Sequence, residues 1–325
     1  MPLDITRVGR KSYVTTRGLA EVLEAVKKHG LPSTTSRSDI KRKRSARANV
    51  MTPYGHVIQQ WRLQTEDGGT VAIDYCHPAA LVWHLCSSSE PLQNLLLERM
   101  GLEPCSLAAP WRVVFYSDEI TPGNQLRSRN PRKLQAIYFS FANLGSAALG
   151  KEKSWFLLCA VRSKTVQSLQ SGMGQLCRAA MLSFRTHGAD LSSGIQLYCG
   201  ESRPVLCAQL GILLSDESAL KYMANNKGAS GKLPCVLCRN VIHRRYKPEK
   251  MREPLVTHTD INYDHFILHT QKSLAETAEY LETQSRTLNK GAMQDLQTKL
   301  GFNHAPLGIL ASSGYLEMLY GMVRT

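Results

Sequence analysis

Two aspartates stand where apolar runs end. Asp118 closes WRVVFYSDEITPGN, a β-branched and aromatic run that stops at a Pro-Gly turn. Asp216 closes PVLCAQLGILLSDESAL, a longer apolar run that passes into helix-forming residues. Carboxylates on the ends of separate strands can converge at one rim of a sheet, and two-metal phosphoryl transfer needs that arrangement, here with Mg²⁺ or Mn²⁺. The same positions also suit a turn or a helix N-cap, and Asp216 directly precedes a helix beginning at Glu217.

A second group is thiol-based. Cys235 and Cys238 form a Cys-x-x-Cys pair in KLPCVLCRN, and thiolates at this spacing grip one face of a tetrahedral Zn²⁺. His265 and His269, with three residues between them, have zinc-ligand spacing on a helical turn; His243 and His258 are the alternatives. The gap from Cys238 to His265 is longer than in a standard finger. The competing reading is two reduced cysteines in a loop beside surface histidines. No thioredoxin-like βαβ pattern surrounds the pair, which disfavours a redox role.

The third group is basic. Lys41, Arg42, Lys43, Arg44 and Arg47 read as a DNA-phosphate-contacting arm or a nuclear localisation signal, against the plainer reading of a solvated charged face. Residues 1–50 hold twelve Lys and Arg against four Asp and Glu. The whole chain holds 40 against 26, a formal charge of +14, so the expected partner is anionic: nucleic acid first, an acidic membrane surface second.

Elements able to position these groups can be read from periodicity. Thr15 or Thr16 caps a helix whose apolar positions are Leu19, Val22, Leu23 and Val26, and Gly30 then Pro32 end it. Residues 60–75 alternate around Asp67-Gly68-Gly69 and predict a hairpin. Residues 78–102 predict helix stopping at Gly101. WRVVFYSDEI, KLQAIYFSF and KSWFLLCAVRS predict an antiparallel three-strand meander. Residues 164–182 predict a helix, PVLCAQLGILL a buried strand, and Leu274, Ala278, Leu281 and Leu288 an amphipathic helix, with a second ending at Gly301. The whole is a mixed α/β sheet covered by helices. Expected boundaries are a basic helical module over 1–60, a hairpin and helices over 61–110, a core over 111–226, and a Cys-x-x-Cys element with a helical insertion over 227–325. Trp83, Trp111 and Trp155, with Cys177, Cys199 and Cys207, lie in apolar contexts and read as core.

Residues 111–245 resemble the RNase-H-like catalytic domain of CACTA-type and Plavaka-like cut-and-paste DNA transposases. VVFYSDEITPGNQL followed by RKLQAIYFSFANLG is similar to the first two strands of that domain. GILLSDESALKYMANNKGASGKLPCVLCRNV is similar to its second-acid segment, where a Cys-x-x-Cys element follows the acid. The resemblance implies Asp118 and Asp216 as catalytic acids of a DDE/D-type site holding Mg²⁺ or Mn²⁺, 98 residues apart here. The family places a third acid on a helix far downstream of the Cys pair. The last forty residues offer only Asp295 and Glu317, neither in a matching segment, and Asp260 and Asp264 follow the pair too closely. The expectation is therefore a fragment, or a decayed or domesticated copy, incomplete at its C-terminus.

Two function classes follow. One is a transposase-derived DNA-binding protein with a remnant site for phosphodiester cleavage and strand transfer. The other is non-catalytic: a basic nucleic-acid binder or a zinc-stabilised interaction module. No G-x-S-x-G, Walker loop, G-x-G-x-x-G or H-E-x-x-H pattern occurs. No apolar run reaches the ~18 residues a membrane span needs, and the first residues lack the apolar stretch of a secretory signal. Nine scattered cysteines suit reduced thiols. Nuclear location and a homo-oligomer complete the expectations.

Overall fold

The computed structural model describes residues 15–30, 36–48, 50–121, 132–243 and 254–311. The chain divides into two units, Met1–Asn49 and Val50–Thr325.

The first unit holds α1 (Thr16–His29) and α2 (Arg37–Ala48). Thr15 is the N-cap of α1, its hydroxyl oxygen accepting from Gly18 N at 3.1 Å. Gly30 ends the helix at φ +73°, and Lys27, Lys28 and His29 oppose the carbonyl end of its dipole. Pro32 lies outside the described residues.

After a short antiparallel pair, Met51–Thr52 with Gly55–His56, the second unit forms a hairpin, β1 (Ile58–Gln64) against β2 (Thr70–Cys76), paired from Ile58↔Cys76 to Gln64↔Thr70. Asp67 stabilises the turn by accepting from Gly69 N at 3.1 Å. Two helices follow, α3 (Pro78–Ser88) and α4 (Glu90–Leu102). The second runs one residue past Gly101, to the cap at Glu103. The meander is present as β3 (Trp111–Ile120), β4 (Leu134–Phe141) and β5 (Phe156–Arg162), both pairings antiparallel.

The stretch predicted as one helix over 164–182 is two: a turn of helix at Ser163–Gln167, then α5 (Gly172–Leu182). Residues between them pair with the hairpin instead. Glu66 N donates to Ser168 O at 3.0 Å and Gln170 N to Gln64 O at 3.1 Å, which draws that backbone out of the helix.

β6 (Ala208–Leu214) then runs parallel to β3, in the register Ala208↔Trp111 to Leu214↔Tyr116. The resulting four-stranded mixed sheet has the order β6-β3-β4-β5. α6 (Glu217–Met223), α7 (Gln271–Ser285) and α8 (Lys290–Leu300) complete the unit. On α7, Leu274 and Leu281 are buried and Ala278 packs beside them.

One sheet face makes the core. Phe139 lies 5.1 Å from both Phe156 and Phe184, ring centre to ring centre. Val82 of α3, Leu96 of α4 and Leu176 of α5 belong to the same apolar cluster. The pleat sends alternate residues of β3 to opposite faces. Phe115 and Ser117 are buried on the core side, whereas Tyr116 and Asp118 point the other way, Asp118 exposed.

Candidate functional site

The parallel pair β3 and β6 brings Asp118 and Asp216 to the same end of the sheet. Tyr116 and Leu214 are register partners, and each aspartate lies two residues further along its chain. Asp118 lies within β3 on the face of Tyr116, whereas Asp216 lies just past the end of β6 as the first residue before α6, so the two acids stand at the same end of adjacent strands. Tyr116 Oη donates to Asp118 Oδ2 at 2.9 Å. Burial raises the Tyr116 phenol above its ordinary range, the Asp118 hydrogen bond adds to this, and the charges of Asp118 and Asp216 add further. One phenol thus senses both carboxylates.

Asp216 has a second task. It is the N-cap of α6, its Oδ1 accepting from Ala219 N at 2.6 Å. Asp216→Ala is expected to cost about 1 kcal/mol of stability and Asp216→Asn only a few tenths, because Asn caps as well as Asp. Denaturant midpoints of the two variants check this, and equal losses would show that the cap contributes nothing.

The neighbouring acid belongs elsewhere. Glu119 points to the core side, where it pairs with Lys133 at 2.6 Å and accepts from Gln135 at 3.1 Å. Of Ser117-Asp118-Glu119, only Asp118 therefore faces the open cleft. Glu152 shares that cleft, a residue that sequence reasoning missed. It sits in a short turn, Glu152–Ser154, and no strand end or motif marks it. Trp155, read as core, also lines the cleft. Its Nε1 donates to Leu149 O at 2.8 Å, which holds the indole upright against Tyr116 at 5.8 Å. Trp111, Cys177, Cys199 and Cys207 are buried, as expected.

Asp295 pairs with Lys299 at 2.6 Å and Asp260 with His265 at 2.9 Å. Glu317 lies outside the described residues. Among the described residues no three His, Cys, Asp or Glu side chains gather closely enough to hold a metal ion.

The Cys-x-x-Cys element forms a small satellite core with Val241 and Val256. Cys238 N donates to Cys235 Sγ at 3.2 Å. Burial pushes the Cys238 thiol up to about 12, with the charge and hydrogen bond of Cys235 adding to the effect, so it is no ready nucleophile. Backbone pairing brings the two proposed histidines alongside: Arg239 N donates to Ile267 O at 2.9 Å and His269 N to Leu237 O at 2.7 Å. Their rings are committed elsewhere and not on one helical turn. His265 is exposed, bound to Asp260 and Asn262. His269 is buried, with Nδ1 on Ser273 Oγ at 3.1 Å and its ring edge-on to Phe302. His258 lines the same pocket as Cys235 and Cys238. Those three groups do not form a metal cluster, so the donor set does not fit Zn²⁺ as arranged. All nine cysteines are free.

Asn240 ties this element down. Its amide donates to Pro254 O at 2.9 Å and His265 O at 2.8 Å, and its oxygen accepts from Ile267 N at 2.8 Å. It passes unnoticed in sequence, because an asparagine after a Cys-x-x-Cys loop carries no periodic signal.

The basic residues Lys41, Arg42, Lys43, Arg44 and Arg47 all fall in α2. Lys41 and Arg42 are exposed, and Arg42 pairs with Asp39 one turn earlier. The side chains of Lys43, Arg44 and Arg47 lie outside what the structure describes. No described helix is long and apolar enough to cross a membrane. Neither the known protein-family models nor the curated proteins include a match to this chain.

Proposed function

We propose that this chain is a transposase-derived, nucleic-acid-binding protein built on an RNase-H-like core, with a remnant metal-dependent phosphodiester site at Asp118 and Asp216. One observation carries the reading. Two adjacent parallel strands have an aspartate at the same end, Asp118 within β3 and Asp216 just past β6, in a sheet whose order is β6-β3-β4-β5. An antiparallel meander with a later strand added parallel to its first member is the arrangement expected of an RNase-H-like sheet.

Asp118 and Asp216 are the residues that would hold Mg²⁺ or Mn²⁺. Carboxylate oxygens are the ligands such hard cations take. Each aspartate has one oxygen hydrogen-bonded, Asp118 to Tyr116 and Asp216 to Ala219, leaving the other for a ligand. A bound divalent ion would polarise a phosphoryl oxygen and acidify an attacking water. Tyr116 fixes the rotamer of Asp118, and the start of α6 fixes that of Asp216. The basic residues Lys41 to Arg47 would contact backbone phosphates.

The test is nicking of supercoiled DNA in Mg²⁺ and in Mn²⁺. The wild-type chain is expected to nick and Asp118→Asn to lose that activity. Asp216→Asn is expected to do the same with its helix cap intact. Nicking by Asp118→Asn at the wild-type rate would overturn the assignment.

A second reading, a non-catalytic nucleic-acid binder on the same fold, is favoured because no three His, Cys, Asp or Glu side chains among the described residues gather closely enough to hold a metal ion. It predicts DNA binding that weakens steeply with salt, is indifferent to Asp118→Asn, and weakens when Lys41 to Arg44 are neutralised.

A further inference from the structure

We propose that the cleft on the open face of the sheet binds a methylated ammonium group, carried on the lysine side chain of a peptide. The proposal goes beyond the metal-site reading and does not depend on it.

The cleft has a volume of 690 Å³. Three aromatic rings form its walls. Tyr116 and Tyr138 are inclined by 27° with centres 6.1 Å apart, and Tyr116 and Trp155 by 61° with centres 5.8 Å apart. Asp118 and Glu152 add two carboxylates, and the described lining contains no Lys, Arg or His. In a chain of formal charge +14, an acidic aromatic recess is out of keeping with the rest of the molecule and selects a ligand of opposite sign.

Ring faces carry negative charge and attract cations, most strongly where the cation loses its water. Ring geometry then chooses between cations. A guanidinium is flat and stacks between parallel planes. Tyr116 and Trp155 meet at 61°, edge against ring, so the lining carries rings at two inclinations rather than a pair of parallel planes, which suits a rounded alkylammonium better than a flat guanidinium. Methylation suits the site twice over, because each methyl enlarges the apolar surface and weakens hydration while the charge remains. Ile120 and Leu214, 37% and 49% exposed, flank the recess where the aliphatic stem of a side chain would lie. The volume also exceeds that of a trimethylammonium head several-fold, and a peptide fills it better than a small amine.

The corner is built before any ligand arrives. Trp155 is pinned through Nε1 to Leu149 O, and Tyr116 through its hydroxyl to Asp118. Little side-chain freedom remains to be lost on binding.

The experiment is calorimetric titration of the full chain, in EDTA, with a short neutral peptide carrying one trimethyl-lysine. A second peptide carries the uncharged carbon isostere, with a tert-butyl group in place of the trimethylammonium. The charged peptide is expected to bind and the isostere to bind about tenfold more weakly. Asp118→Asn, confirmed folded by its thermal midpoint, is expected to weaken the charged peptide several-fold and leave the isostere unchanged. Equal binding of both peptides, or none of either, overturns the proposal. Choline binding as tightly as the peptide overturns the assignment to a lysine side chain. Because EDTA removes divalent ions, these outcomes are separate from those of the nicking assay.

Discussion

Lowering the pH from 7 to 5 is expected to destabilise the fold by about 4 kcal/mol, roughly 2 kcal/mol from each of two buried histidines. His77 is fully buried at the start of α3, where its Nδ1 faces Ala80 N at 3.5 Å and its Nε2 has no partner among the described residues. His269 is 6% exposed. Burial lowers the first to about 4, and burial with the Arg239 charge lowers the second to about 4. Unfolded, each would take its proton near pH ~6.5. The neutral form is therefore favoured by folding, and the unfolded chain binds more protons between the two values. The stabilisation is complete above about pH 6.5 and is lost as pH falls toward 4. The depressed carboxylates, Asp260 beside His265 and Glu282 beside His304, act in a lower window. Their contribution is present above their ordinary values and disappears only as pH falls through the lowered ones. Urea midpoints at pH 7, 6 and 5 measure the effect. A midpoint flat across that range would mean that neither imidazole is neutral in the fold.

Gly301→Ala is expected to cost about 3 kcal/mol or more, from left-handed strain plus overpacking. Gly301 ends α8 at φ +79°, and a Cβ there would lie 2.1 Å from Leu233 O, a backbone atom that cannot swing aside. Its own carbonyl accepts from Lys227 N at 2.8 Å and from the Asn226 amide at 2.9 Å. The substitution would thus pry the end of α8 from the segment leading into the Cys-x-x-Cys element. Gly68 is the control: its φ is +83°, but a Cβ there meets nothing within 4 Å, so Gly68→Ala should cost only about 1 kcal/mol. Chemical denaturation of both variants isolates the clash. If the two glycines cost the same, the close approach of Leu233 carries no energetic weight.

Local chemistry alone determined much of this molecule. Thr15 and Gly30 bound α1, Asp67-Gly68-Gly69 turn the hairpin, and Gly301 ends α8, because caps and turns act over a few residues. The period of two along WRVVFYSDEI separates Asp118 from Ser117 and Glu119 without reference to any other strand. What only the tertiary structure decided is which elements meet. β6 lies beside β3 because the open backbone edge of β3 finds its hydrogen-bond partners there, and that pairing brings Asp216 to the same sheet end as a residue 98 positions away. It also turned Glu152 and Trp155 into the same cleft and sent His265 and His269 to different partners. Long-range burial and backbone pairing settle such choices, and they outweigh the spacing of a motif because each joins surfaces that no short window of sequence contains.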